Sequence, residues 1–249
     1  MHTSSVHGLR PYLLLAAGYA ATRSALYALG LRVLVRDDWL FFIDPALLAS
    51  RPVESLWAFH AFPPGMSALA ALAIGSGAPL LFWTVLQHVL GLGLGFGMAA
   101  SGRQLGLSWP VVFPLVGAFW LLPATLYFEG LVFHTLPAAS GLMAVVVALH
   151  AARTRGPLAL AVALMLAALL GGLRSTFHLV WLLATAAWAV ASMPRPQRAL
   201  PAVVPALLLL GALYSKNLVL VGHFAASTWT GFNLAKVTTQ QLTLSLIHI

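Results

Sequence analysis

The sequence predicts an all-α fold, a polytopic transmembrane helical bundle of about seven spans. Hydrophobic residues make up 61% of the 249 residues and charged residues only 7%, whereas about a quarter of the residues in a soluble domain are charged. The mean hydropathy is +0.93. Long apolar runs alternate with short links that contain arginine, which is the pattern of a helical membrane protein.

The same composition excludes several function classes. The net charge of +8 comes from basic residues that fall singly or in pairs between apolar runs, as loop anchors do, so we expect no nucleic-acid partner. The chain contains no cysteine, which excludes disulfides, thiol catalysis and a cysteine-built metal site.

The apolar runs define the spans in order. The first could be taken for a signal peptide, but it continues through "LYALGL", so we interpret it as an uncleaved span. The predicted spans are residues 11–31, 79–101, 110–127, 136–151, 158–172, 179–193 and 200–219. Residues 65–76 are too short to cross a bilayer and are predicted to form an interfacial helix.

We therefore expect two regions. Residues 1–220 form a transmembrane module with an outer loop at 32–78, and residues 221–249 form an outer polar segment that we interpret as the start of a truncated C-terminal region. The basic residues divide evenly between the two sides, so the positive-inside rule does not decide the orientation. With the N-terminus inside, however, every short inner link is purely basic and all five acids lie outside. We predict a multi-pass protein of a bacterial inner or plasma membrane, with its catalytic loops outside.

Four of the five acidic side chains lie in one segment, "LVRDDWLFFIDPALLASRPVESLWAFHAFPPG". They are Asp37, Asp38, Asp44 and Glu54. Carboxylates at the membrane boundary, held ionised by nearby arginines, would suit a general base. The alternative is a solvated loop in which these acids merely pair with its arginines. The concentration of acids favours function, with Asp37 and Asp38 as the catalytic candidates.

Other polar residues near the predicted outer face are candidates for substrate binding. His60, in "HAFPPG", is a ligand, a substrate hydrogen-bonder or an ordinary loop residue. Glu129 and His134, in "LYFEGLVFHT", would bind a metal together with Asp37 or Asp38, or would bind a sugar. Their spacing matches no recognised metal signature, so the metal stays undecided.

Three cations complete the candidates. Arg174, in "GGLRSTFHLVW", either binds an anionic ligand such as a phosphate head group or extends to lipid phosphates at the interface. Lys216, in "YSKNL", is a similar case. Arg23 lies inside the first span, where it either extends to the interface or faces the bundle and pairs with another group.

The glycine-rich stretch "GLGLGFG", residues 91–97, lacks the preceding strand and the following Lys-Ser/Thr of a phosphate loop. Gly91 with Gly95, and Gly93 with Gly97, are instead predicted to allow close helix packing.

These features resemble the GT-C superfamily of membrane glycosyltransferases, and within it the protein mannosyltransferase and aminoarabinose transferase group. One span from an inner N-terminus leads to an outer loop that begins "RDDWLFF" and ends "FHAFPPGMSALAAL", and a second outer loop carries an acid. The resemblance covers about residues 10–220. The second acidic position is Asp where that group has Glu, and the closing element reads Pro-Pro-Gly in place of Pro-Pro-Leu.

The resemblance implies a polyprenyl-phosphate-linked sugar donor, membrane lipid, and a protein, lipid or polysaccharide acceptor as partners. It implies Asp37 as the catalytic base, Asp38 as the second acid, and His60 within the loop's closing element. Arg174 and Lys216 would bind the donor phosphate. No cofactor is certain, and a divalent cation (Mg or Mn) is possible. The alternatives are a transporter or flippase of a lipid or anionic solute, and a non-catalytic scaffold.

Overall fold

In the computed structural model of the chain, residues 5–31 and 43–228 are described. Every element of regular secondary structure in these ranges is a helix. The helices are α1 (Ser5–Ala28), α2 (Pro45–Ser50), α3 (Pro52–Ala58), α4 (Gly65–Gly75), α5 (Pro79–Gln104), α6 (Trp109–Leu121), α7 (Pro123–Gly130), α8 (Thr135–Arg155), α9 (Pro157–Leu173), α10 (Leu179–Ala191), α11 (Pro196–Ala199) and α12 (Val204–Val221). A short 3-10 turn, Leu200–Val203, joins α11 to α12.

Prolines and glycines set many of the helix boundaries. Proline occupies one of the first two positions of α2, α3, α5, α6, α7, α9, α11 and α12, where its missing N–H costs no helical hydrogen bond. Gly156 alone separates α8 from α9 and has a φ of 84°. Glycine adopts that conformation readily, so the chain reverses at this point and α8 packs along α9.

The described part of the chain contains three helices long and apolar enough to cross a membrane. They are α5, α8 and the continuous run Pro196–Val221. The α6–α7 pair is also long and apolar enough when its two helices are taken as one span, which gives up to four candidate membrane spans. The protein is therefore a helical membrane protein. Each of the seven apolar runs predicted as spans is helical, but α9 and α10 have only 17 and 13 residues.

The structure divides the predicted span at residues 110–127 into two helices, α6 and α7. The chain bends by 57° between α6 and α7, and Leu122 at the break is extended, with φ −59° and ψ 134°. The cause is Pro123, which disfavours helical geometry at the residue before it. The bend matters for the site because it directs α7, which carries Glu129, back into the bundle.

Three clusters of buried side chains hold the helices together. The largest lies among α8, α9, α10 and α12 and includes Leu160, Leu164, Leu182 and Leu210. A second joins α1, α5 and α6 through Leu15, Tyr19, Val116 and Trp120. A third joins α4, α5 and the segment after α7 through Met66, Ala73, Trp83 and Val132. Many outward-facing side chains are large and apolar, among them Leu13, Leu81 and Leu208, as expected of a surface in contact with lipid.

Candidate functional site

Asp37 and Asp38, the predicted catalytic acids, lie outside the described residues. The other two acids of the segment are described. Asp44 precedes α2, and its carboxylate accepts a hydrogen bond of 2.8 Å from the Ala46 N–H, which is an ordinary N-cap. Glu54 lies 3.8 Å from Arg51, and both side chains are about three-quarters exposed. For Asp44 and Glu54, then, the structure favours the solvated-loop alternative.

Residues 59–61, between α3 and α4, are hydrogen-bonded to α12 and to the chain that follows it. The Thr228 N–H donates to the His60 carbonyl at 3.0 Å, and the Thr228 hydroxyl lies 3.3 Å from His60 Nδ1. The Lys216 ammonium donates to the Phe59 carbonyl, and the Ser227 hydroxyl donates to the Ala61 carbonyl. His60 and Lys216, two predicted binding residues far apart in sequence, are therefore brought to the same loop.

Lys216 is 8% exposed, so its ammonium is held near Phe59. One of its three N–H groups serves this contact. The neighbouring Asn217 is 1% exposed and donates to the Ala225 carbonyl at 2.8 Å. The end of α12 and the segment after it thus form one hydrogen-bonded support for residues 59–61.

His134 and Arg174 lie close enough to influence each other electrostatically. His134 immediately precedes α8, and Arg174 immediately follows α9. Burial, and secondarily the Arg174 charge, lowers the pKa of His134 from 6.5 to about 4, so the imidazole is neutral at neutral pH. Arg174 itself is exposed. This pair presents one fixed positive charge and one neutral imidazole at the same end of the bundle.

The start of α4 packs directly against the end of α9. A Cβ atom on Gly65 would collide with the backbone carbonyl of Gly172 and contact the Leu173 side chain, so only glycine permits this approach. The loop that ends in "PPG" therefore lies beside the turn that carries Arg174. This end of the bundle therefore carries four of the predicted binding residues: His60, His134, Arg174 and Lys216.

Glu129 occupies a different environment from the one predicted. It lies in α7, is 3% exposed, and forms a two-point ion pair with Arg23. Arg23 Nε donates to one carboxylate oxygen at 2.5 Å and Nη2 to the other at 2.9 Å. Arg23 Nη2 also donates to the Trp120 carbonyl at 2.9 Å. Of the two alternatives for Arg23, the structure shows the inward-facing, paired one.

Aromatic and imidazole side chains extend this ion pair into a buried polar cluster. The Arg23 guanidinium lies 4.5 Å from the Tyr19 ring centroid, and the Tyr19 hydroxyl is 3.2 Å from His88 Nδ1. The sequence analysis used only one signal for this cluster, an arginine inside an apolar span. The roles of Tyr19 and His88 were not predicted, although a histidine inside an apolar span is itself uncommon and could have indicated the cluster.

The α5 glycines have the packing role predicted for them at three positions. A Cβ on Gly91 would collide with Glu129 and Tyr19, one on Gly95 with the Trp120 ring, and one on Gly97 with Met143. Gly93 differs, because no atom lies within 4 Å of where its Cβ would be. It faces a groove instead.

That groove has a volume of about 1340 Å³ and is lined almost wholly by apolar groups. Its walls come from α4, α5, α8 and α9. At one end it reaches Pro64, Gly65 and Gly172, and its lining continues along α8 to Arg155 at the other end. The groove therefore connects the end that carries His134 and Arg174 with the opposite end of the bundle.

The described residues include no group of three or more His, Asp or Glu side chains placed to hold a metal ion. Because Asp37 and Asp38 lie outside those residues, a divalent cation stays a prediction. Comparisons of the chain with protein-family models, with curated proteins and with solved structures gave no match.

Proposed function

We propose that the protein is an integral-membrane glycosyltransferase of the GT-C type. It would transfer a sugar from a polyprenyl-phosphate donor to an acceptor hydroxyl on the outer face of the membrane. The reaction would proceed with inversion and with Asp37 as the general base. The structural observation that carries this proposal is the apolar groove of about 1340 Å³.

The shape and lining of the groove suit a polyprenyl chain. Its wall on α8 runs from Pro137 to Arg155, and 18 steps at about 1.5 Å give ~27 Å. This length is close to the ~30 Å of a bilayer's hydrocarbon core. Such a groove accommodates a long, linear chain of isoprene units and provides few polar partners, whereas a soluble anion would need many.

The cations at the end of the groove suit the donor's phosphate. Arg174 follows Gly172 and Leu173, which both line the groove, so a lipid tail in the groove would bring its head group near this guanidinium. A planar guanidinium binds phosphate oxygens in a two-point geometry. Lys216 and His134 would supply further N–H donors. The phosphate gains negative charge as the sugar leaves, so fixed cations at this place lower the barrier.

The chemistry assigned to Asp37 and Asp38 rests on the resemblance of "RDDWLFF". The acceptor oxygen attacks the anomeric carbon as the bond between that carbon and the phosphate oxygen breaks. The acceptor proton passes to the Asp37 carboxylate, and the bonding electrons leave with polyprenyl phosphate. Attack opposite the leaving group inverts the anomeric centre, as in other single displacements at a glycosidic carbon.

The seven-span topology belongs to the same proposal. It makes α1, α5, the bent α6–α7 pair, α8, α9, α10 and α12 the spans, with the N-terminus inside. The inner links then carry Arg103, Arg153, Arg155, Arg195 and Arg198 and no acid. The positive-inside rule does not decide between the orientations, because the outer segments carry as many basic residues, and the purely basic inner links are what favour this one. The short α9 and α10 would reach the interface with help from the flanking segments.

A lipid flippase is the second candidate, because it would use the same groove without covalent chemistry. Sugar transfer separates the two. Purified protein in nanodiscs is incubated with radiolabelled polyprenyl-phosphate mannose or aminoarabinose and an envelope acceptor fraction, and wild type is compared with Asp37→Asn. Asp44→Asn is the matched control, since asparagine caps α2 as well as aspartate does.

We expect transfer by wild type and Asp44→Asn, and its loss in Asp37→Asn with donor binding retained. Transfer that persists in Asp37→Asn would move the base to Asp38. Donor binding without transfer in the wild type would favour the flippase, and the absence of both would refute the proposal.

A further inference from the structure

A small cavity lies against the buried polar cluster. Its volume is about 10 Å³, and its polar walls are Arg23, Tyr27, His88 and Glu129. Leucine side chains, among them Leu26 and Leu126, also line it. A space of this size holds a single oxygen-sized group.

Three side-chain polar atoms in the walls of this cavity are buried and have no hydrogen-bond partner among the described residues. They are Arg23 Nη1, Tyr27 Oη and His88 Nε2. Arg23 is 5% exposed, and its Nε and Nη2 are fixed by Glu129 and Trp120, so Nη1 cannot turn away. Buried polar atoms nearly always have a partner. Three such atoms around one cavity therefore indicate a shared ligand.

The hydrogen-bond donor and acceptor capacity of the three atoms restricts which ligands can bind there. Arg23 Nη1 only donates, and Tyr27 Oη donates or accepts. His88 Nε2 donates if Tyr19 donates to Nδ1, and it accepts if Nδ1 donates to Tyr19. A hydroxyl oxygen, with lone pairs and a proton of its own, satisfies either arrangement. A halide satisfies only the first, and the guanidinium disfavours a metal cation.

The charge balance points to the same ligand. The Arg23 charge is already compensated by two contacts with the Glu129 carboxylate. A neutral ligand adds no uncompensated charge to this buried place, whereas an ion would.

We propose that Arg23, Tyr27 and His88 form a binding site for one hydroxyl oxygen, either of a water molecule or of an alcohol group on a bound ligand. The bound oxygen links Tyr27 on α1 to His88 on α5, and through His88 to Tyr19. The water alternative is independent of the function proposed above. The alcohol alternative rests on it, because a sugar or acceptor then supplies the hydroxyl group.

The direction in which one substitution shifts the thermal unfolding midpoint tests the site. Tyr27→Phe removes a single oxygen. If that oxygen binds a ligand, its loss leaves the ligand with one partner fewer, and we expect the thermal midpoint to fall by about 2–4 °C. If the hydroxyl is truly unpartnered, its removal relieves a buried polar group and the midpoint rises. Tyr127→Phe, the same exchange at a side chain 59% exposed on α7, is the matched control and should change nothing.

Titration with methyl α-mannoside distinguishes the two sources of the oxygen. A saturable rise of the wild-type midpoint that Tyr27→Phe lacks identifies an alcohol, and equal responses of the two proteins identify water. A midpoint of Tyr27→Phe at or above that of the Tyr127→Phe control overturns the site.

A high-resolution structure of the wild-type protein provides a second readout that does not depend on a variant. An oxygen within hydrogen-bond distance of all three atoms supports the proposal, and atoms of the chain itself in that place overturn it. Failure of sugar transfer by the wild type would refute the proposed function but leave a bound water intact.

Discussion

Arg23 and Glu129, 106 residues apart in sequence, form a buried ion pair through two hydrogen bonds of 2.5 and 2.9 Å. The pair joins the first helix of the chain to the short helix that follows the bend at Pro123. The charge of the Glu129 carboxylate is thus compensated by Arg23, which also fixes its position. Its direct role is to tie α1 to α7, next to the point where the chain leaves α1 for the acidic segment.

Breaking this pair should destabilise the protein strongly. Glu129→Gln leaves the Arg23 guanidinium buried without its counter-charge, and we expect a loss of about 3–5 kcal/mol in the free energy of unfolding. Denaturant unfolding in detergent measures it. The double variant Arg23→Met with Glu129→Leu removes both charges and should recover most of the loss. A double variant no more stable than Glu129→Gln would contradict this account of the pair.

Two glycines two residues apart on α5 should respond differently to alanine. Gly91→Ala places a methyl group against Glu129 and Tyr19, and we expect a loss of about 1–3 kcal/mol in unfolding free energy from overpacking. Gly93→Ala meets open space and should be neutral or stabilising by up to about 1 kcal/mol. Thermal unfolding of the two variants side by side is the measurement. Equal effects would mean that Gly91 does not pack against the ion pair.

His134 should make stability depend on pH. Because its folded pKa of about 4 lies below the unfolded value of 6.5, the unfolded chain binds more protons between these values. Its contribution is fully present above pH 6.5 and is lost as the pH falls towards 4, by at most about 1.4 kcal/mol per pH unit. Thermal midpoints from pH 7.5 to 4.5 should fall less steeply for His134→Gln than for wild type.

His150→Gln, the same exchange at an exposed side chain on α8, controls for the substitution. A His134→Gln protein with the wild-type pH slope would mean that His134 is not buried in its neutral form.

Lys216 should hold the segment between α3 and α4 in place. Lys216→Met removes the donor to the Phe59 carbonyl and leaves this half-buried acceptor without its partner, which we expect to cost about 1 kcal/mol. Increased proteolysis between α3 and α4 would report release of the segment. Ser215→Ala, at the exposed neighbouring position, should leave both the unfolding free energy and the cleavage rate unchanged. Lys216→Met with wild-type behaviour in both would contradict this role of Lys216.

The helical architecture was largely predictable, because apolar runs bounded by proline, glycine and arginine define each helix locally. Residues 136–151 became Thr135–Arg155, and residues 65–76 became Gly65–Gly75. The bend at Pro123 was not predicted, because residues 110–127 form one uninterrupted apolar run. The proline that causes the bend is nevertheless visible in the sequence. The lengths of the helices also could not be judged from hydropathy alone, as the 13 residues of α10 illustrate.

The candidate site was predictable only in part. Arg174 was singled out because a cation is costly at the edge of an apolar run, and His134 because it lies close to Glu129 in sequence. The structure places His134 near Arg174 and pairs Glu129 with Arg23. Their pairing, like that of Lys216 with Phe59 or Arg23 with Glu129, depends on how distant helices pack. No local pattern in the sequence encodes which helices become neighbours. Tyr27 carries even less signal, since its importance comes from the small cavity that it shares with His88.

The most direct test of the central claim is photolabelling with a polyprenyl phosphate that carries a photoreactive group in its tail. Gly93→Leu should fill the groove without displacing packed atoms, because no atom lies within 4 Å of the Gly93 Cβ position. Gly117→Leu, at an equally open position on α6 that does not line the groove, is the matched control. We expect label on α5, α8 and α9 in wild type and Gly117→Leu, and its loss in Gly93→Leu. Label spread over all lipid-facing helices and unaffected by Gly93→Leu would contradict binding of the donor lipid in this groove.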